Sequence, residues 1–141
     1  MKFAALALLL VMGCGKAPAA PDLTPRVEIM LAAQDYPAGE SVPILLTNRS
    51  SFSIWVMTNS CPPAIEVSTG GIWTPVYLTM FCPLVVRVPQ EVPPGGSIVE
   101  TIPTRHATGE ALAPGTYRSL FRLSGPDGVF ADWYSPEFRL R

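Results

Sequence analysis

His106 is the only histidine of the chain, and imidazole is the side chain best suited to moving protons near neutral pH. It lies in Pro103-Thr104-Arg105-His106-Ala107-Thr108-Gly109, a polar loop. A catalytic histidine needs a positioned nucleophile and an acid that orients it. No Gly-x-Ser-x-Gly turn is present and no neighbouring residue supplies a partner, so His106 reads as a solvated loop residue. The eleven acidic residues are scattered, without the Asp-x-Asp-x-Asp-Gly spacing of a calcium loop. Glu66 and Glu100 fall in expected strands, where solvent faces are their simplest location. Met57, Met80 and His106 are ligand types that suit copper. They lack the close His-x-Met or Met-x-x-Met spacing of a copper site, and core or loop packing is the ordinary use of methionine. The chain therefore reads as non-enzymatic, with no metal and no cofactor.

The N-terminus carries a different kind of chemistry. Lys2 precedes an apolar run over residues 4–12. This fits the charged and apolar regions of a secretory signal and is too short to span a bilayer, which takes about 20 residues. Val11-Met12-Gly13-Cys14 resembles the bacterial lipobox, with Met12 in place of the usual Ala or Ser. The resemblance implies cleavage before Cys14, which becomes a lipidated N-terminus. Gly15 rather than Asp follows, which by the same resemblance implies the outer membrane in a two-membrane host. Residues 1–13 are then a signal peptide, and residues 14–25, rich in Ala and Pro, a stiff tether. Two or three acyl chains anchor firmly, whereas one binds reversibly.

In an exported chain disulfides persist, and Cys61 and Cys82 remain once Cys14 is assigned to lipid. They do not form a Cys-x-x-Cys pair, so neither a thioredoxin-type site nor a zinc knuckle is indicated. A bridge between them would close a loop of about 20 residues and contribute roughly 3 kcal/mol in the chain-entropy model. Two free buried thiols are the alternative.

Composition narrows the rest. Of 10 basic and 11 acidic residues, only Lys2 lies in the signal, so nine basic residues face eleven acidic ones, a balance of −2. That leaves no basic footprint for nucleic acid and no polybasic patch for lipid headgroups. With 48% hydrophobic residues a real core is available, and 141 residues suit one domain. Sixteen Pro and eleven Gly disfavour long helices.

Alternation with period two dominates after residue 25. Val27, Ile29 and Leu31 share one face, as do Val42, Ile44 and Leu46; Phe52, Ile54 and Val56; and Tyr117, Ser119, Phe121 and Leu123. Further strands are expected over residues 72–79 and 98–100. Turn signals separate the runs, among them Pro93-Pro94-Gly95-Gly96 and Gly125-Pro126-Asp127-Gly128. The spacing predicts an all-β, antiparallel β-sandwich of about seven to nine strands over residues 26–141.

Tyr36-x-x-Gly39-Glu40-x-Val42-x-Ile44-x-Leu46-x-Asn48-x-Ser50, then Trp73-x-Pro75-Val76, Val92-Pro93-Pro94-Gly95 and Leu112-Ala113-Pro114-Gly115-Thr116-Tyr117-Arg118, resemble the small immunoglobulin-like domains of bacterial envelope proteins. More distantly they resemble the fold of the intracellular proteinase inhibitor of Bacillus. The Leu-x-Pro-Gly-x-Tyr element is similar to a tyrosine corner, with Tyr117 just inside a late strand. The envelope resemblance implies an immunoglobulin-like sandwich more than an activity. The inhibitor resemblance implies an exposed loop offered to a protease, for which residues 58–63 and 78–83, pinned by a Cys61–Cys82 bridge, are the candidates.

Two surface features complete the reading. Trp55 and Met57 alternate with the Phe52, Ile54, Val56 face, so if that face is the core they form an outward apolar spot suited to an interface. Arg118 and Arg122 share a face, and cross-strand pairing with an acidic neighbour such as Asp132 is the simplest use for them; an anion-binding stripe is the sharper one. Asn48-Arg49-Ser50 matches a glycosylation sequon, set aside because a lipobox implies a bacterium. The expectation is a lipid-anchored, non-catalytic envelope module, a binding or structural accessory to an envelope protein partner, with the protease inhibitor as alternative.

Overall fold

The computed structural model describes residues 22–57, 64–80 and 88–141. Cys14, Cys61 and Cys82 lie outside the described residues, as do the proposed signal peptide, most of the tether, the inhibitor-loop candidate 58–63 and half of the candidate 78–83.

The described residues form an all-β sandwich of two packed sheets. The strands are β1 (Val27–Leu31), β2 (Asp35–Tyr36), β3 (Val42–Asn48), β4 (Ile54–Val56), β5 (Ile65–Thr69), β6 (Ile72–Val76), β7 (Gln90–Val92), β8 (Ser97–Ile102), β9 (Gly115–Ser124), β10 (Phe130–Tyr134) and β11 (Phe138–Leu140). The smaller sheet has the order β1-β3-β8. The larger sheet is built around β9, which pairs with β5 and β11 along its first half and with β4 and β10 along its second. Strands β6, β7 and β2 extend it outward from β5, β4 and β11.

Eleven strands stand where seven to nine were expected, because what could have been single strands are broken. β10 and β11 follow one ladder along β9, but the register shifts by one residue between the Trp133↔Phe121 and Phe138↔Tyr117 pairs. Ser135-Pro136-Glu137 supplies the extra residue as a bulge, and Pro136 has no N–H to give to a ladder. The Ser135 hydroxyl covers the break, accepting the Ser119 N–H at 3.0 Å. The sheet is also mixed rather than wholly antiparallel, since β2 runs parallel to β11.

The core is filled from both inner faces. Val42, Ile44 and Leu46 of β3 meet Ile54, Val56, Val92, Tyr117, Phe121, Leu123, Phe138 and Leu140 of the larger sheet, all buried. Tyr117 stacks on Phe138, whose ring takes Tyr36 edge-on, both at 6.1 Å between centroids. The Tyr117 hydroxyl donates to the Ala113 carbonyl at 2.6 Å, the tyrosine-corner bond. Burial pushes the Tyr117 hydroxyl above the ordinary tyrosine pKa.

Asn48, at the end of β3, is 0% exposed. Its amide donates to the carbonyls of Phe52 at 2.8 Å and Val92 at 2.9 Å, while its Oδ1 accepts the Ser50 N–H at 2.8 Å. Its backbone N–H and carbonyl close on Gly96 and Gly95 of the turn before β8. Every side-chain donor and acceptor is engaged, so the sequon is structural and its amide is closed to modification.

Glu100 departs from the solvent-face expectation. It sits opposite Ile44, with Ile98 opposite Leu46 and Ile102 opposite Val42. Directly paired residues share a face, so Glu100 lies on the inward side of edge strand β8 and is half-buried. A charge turned inward on an edge strand deters pairing with a second sheet.

Candidate functional site

The inward alternation of β9 leaves Arg118, Leu120 and Arg122 on the outer face of the larger sheet, and its neighbours supply what surrounds them. Glu66 of β5 stands opposite Arg118, while Asp132 and Tyr134 of β10 stand opposite Arg122 and Leu120. The Arg118 guanidinium is held on three sides. It bonds Glu66 through Nε at 2.7 Å and Nη2 at 2.6 Å, and its plane lies 4.3 Å from the Trp73 ring and 3.8 Å from the Tyr134 ring. Both charged side chains are largely covered, at 22% and 18% exposed. Arginine suits this place because its plane stacks on aromatic faces while its edge binds a carboxylate. The result is a rigid aromatic–guanidinium–aromatic stack on an open sheet face.

Next to the stack lies an apolar hollow of about 270 Å³. Ile65, Pro75, Val76 and Leu120 line it, Glu66 closes one side, and Tyr77 stands at its rim, 79% exposed. Its wall is almost entirely carbon, so it offers burial to an apolar group beside a carboxylate already neutralised by Arg118.

Arg122 bonds Asp132 at 3.1 Å, the cross-strand pair expected from the sequence. Arg118 also takes an acidic partner, Glu66 rather than Asp132, so both arginines are paired and the face is not an anion-binding stripe. Sequence reading placed Glu66 on a strand without linking it to Arg118, and it did not join Trp73 and Tyr134 to either. The 52 residues between Arg118 and Glu66 and a register set by tertiary structure hide that link.

Trp55 and Met57 lie on the outer face, as their alternation with Ile54 and Val56 requires, and both are half-buried. They sit two residues apart on that face, in different settings. Met57 donates its N–H to the Arg122 carbonyl near mid-sheet. Trp55 sits at the end, opposite Ser124, in a second hollow of about 270 Å³ with Pro89, Gly125, Pro126, Gly128 and Phe130. Residues 22–25 run alongside: Pro25 is buried, and a Cβ on Gly125 would come within 2.5 Å of the Leu23 carbonyl.

His106 is less solvated than expected. Its Nδ1 accepts the Thr79 N–H at 3.2 Å, and the Thr79 hydroxyl lies at the same distance. The contact ties the His106 loop to the segment after β6, and no acid orients Nε2. Met80, the neighbour of Thr79, packs against the core. Among the described residues no three His, Cys, Asp or Glu side chains gather around a common point.

No protein-family model matches the chain, and no curated protein matches it. Solved structures do. A structural-genomics X-ray structure, target SoR45, is 18% identical with a TM-score of 0.46, covering 86% of this chain and 88% of that one. A β-glucosidase from Listeria innocua in complex with gluconolactone is 15% identical with a TM-score of 0.36, and the chain spans 16% of its length.

Proposed function

We propose that this chain is a lipid-anchored, non-catalytic module of a bacterial envelope that docks an envelope protein on the outer face of its larger sheet. The observation that carries the reading is the Trp73–Arg118–Tyr134 stack beside the hollow rimmed by Tyr77. Aromatic and arginine side chains are the common anchors of protein interfaces. Here they are already locked by Glu66, so a partner loses little entropy in meeting them. The resemblance to envelope immunoglobulin-like domains and the lipobox-like Val11-Met12-Gly13-Cys14 support the location.

The test is a photo-crosslinking residue at Tyr77 in the native envelope, followed by mass spectrometry. One dominant protein partner is expected, with its yield falling about tenfold when Tyr134→Ala removes an anchor of hot-spot size. A diffuse set of adducts, or a yield indifferent to Tyr134→Ala, defeats the docking face.

A further inference from the structure

The end of the larger sheet that carries Trp55 has a separate character. The β9–β10 turn leaves Val129 67% exposed and Phe130 42% exposed. With Pro126 and the half-buried Trp55 they make an apolar tip around the second hollow. We propose that this tip rests on the lipid bilayer at headgroup level, as a second membrane contact beside the lipid anchor. The inference rests on the lipidation of Cys14 proposed above.

The position of the N-terminal segment carries the argument. The first described residues leave the domain at this same end of the sandwich, passing on its core side, where a Cβ on Gly125 would meet the Leu23 carbonyl and the Phe52 ring. Asp22 lies eight positions beyond Cys14, and a Pro-containing chain extends at most about 3 Å per step, so roughly 25 Å is the greatest reach from acyl chains to domain. A domain held so closely by this corner presents the corner to the membrane. The apolar tip is small, but a short tether raises its local concentration to about the millimolar range, enough for a weak contact to be populated. Tryptophan and its aromatic neighbours are the side chains that settle at membrane–water interfaces.

Charge selects the lipid. Asp22, Asp127 and Glu91 lie at this end, and Arg26 and Arg49 are drawn to Asp22 and Glu28 respectively. Asp127 is fixed in the turn, where its carboxylate accepts the Val129 N–H at 3.1 Å. Among the described residues at this end both arginines face carboxylates, so the tip itself does not call for anionic headgroups and a zwitterionic surface suffices.

The experiment uses the full chain purified from envelopes and reconstituted in phosphatidylcholine vesicles with brominated acyl chains, which quench nearby tryptophan. Intact mass of the same preparation reports the state of Cys14. With Cys14 lipidated, the expected result is loss of roughly a quarter of the emission, because one of the three tryptophans reaches the interface. Both Trp55→Phe and Val129→Asp should abolish that loss, and Val129→Asp should leave the thermal midpoint unchanged because the position is exposed. A lipidated chain without quenching overturns the tip contact and leaves the anchor standing, as does quenching that survives both substitutions. A chain without lipid on Cys14 overturns the anchor and the tip contact with it.

Discussion

Asn48→Asp exchanges one side chain for another of nearly equal volume, so packing is preserved and only hydrogen bonding and charge change. Asn48 Nδ2 donates to two carbonyls, Phe52 and Val92, and Oδ1 accepts from Ser50. An aspartate keeps the Ser50 bond and turns an acceptor oxygen toward the two carbonyls. Protonation returns one donor, so the neutral acid costs one hydrogen bond and one unsatisfied carbonyl, about 1–3 kcal/mol. The charged form adds burial and repulsion, which raise the folded-state pKa of such a carboxyl by about 3 units. At about 1.4 kcal/mol per unit that is roughly 4 kcal/mol more. The sign follows from linkage. A folded pKa above the unfolded value near 3.9 leaves the variant nearest to wild type below about pH 4. Its deficit grows as pH rises from there and is complete near pH 7. In urea unfolding the gap between Asn48→Asp and wild type should therefore be about 1–3 kcal/mol at pH 4 and about 5–7 kcal/mol at pH 8. Asn48→Leu, which cannot ionise, should show no comparable widening. A gap for Asn48→Asp that is constant with pH would refute the placement of Asn48 between two carbonyls.

Tyr117→Phe should cost about 1 kcal/mol by urea unfolding at pH 7 through loss of the Ala113 bond. Because burial raises the Tyr117 pKa, wild type should lose stability above pH 10 that Tyr117→Phe retains, so the two curves converge on titration from pH 9 to 11. Gly125→Ala places a methyl 2.5 Å from the Leu23 carbonyl; limited proteolysis should show residues 22–25 released while the sandwich core stays protected. Arg118→Lys keeps the charge but loses the planar stack and the paired edge. It should cost about 1–2 kcal/mol in thermal unfolding and change the emission of Trp73.

The strands that could be read in advance are those with one apolar and one polar face. Val42, Ile44 and Leu46 point inward as their alternation requires, as do Tyr117, Phe121 and Leu123. β10 escaped that logic because aromatics occupy both of its faces: Trp133 turns toward the core while Phe130 and Tyr134 remain exposed. Glu100 was misplaced because its polarity was read ahead of its period: it shares the inward face of β8 with Ile98 and Ile102. The Arg122–Asp132 pair was legible because a hairpin sets its register locally. The Trp73–Arg118–Tyr134–Glu66 stack was not, since it joins four strands from two hairpins far apart in sequence. Asn48 stood out as a sequon and as one position of the resemblance, but nothing in Asn-Arg-Ser distinguishes a buried amide with three bonds from a surface one.

β9 has consequences for how the chain comes together in time. Four strands hydrogen-bond to it, and two of them, β4 and β5, end 59 and 46 residues before it begins. A chain made from its N-terminus forward exposes both of these edges until β9 arrives. The β1–β3–β8 sheet can close earlier, leaving the apolar sides of β4 and β5 as the surfaces most prone to mispairing. The β9–β10 hairpin closes locally, between Ser124 and Phe130, so its formation sets when the waiting strands are captured. Folding from the unfolded state should therefore be slow and sensitive to hairpin substitutions.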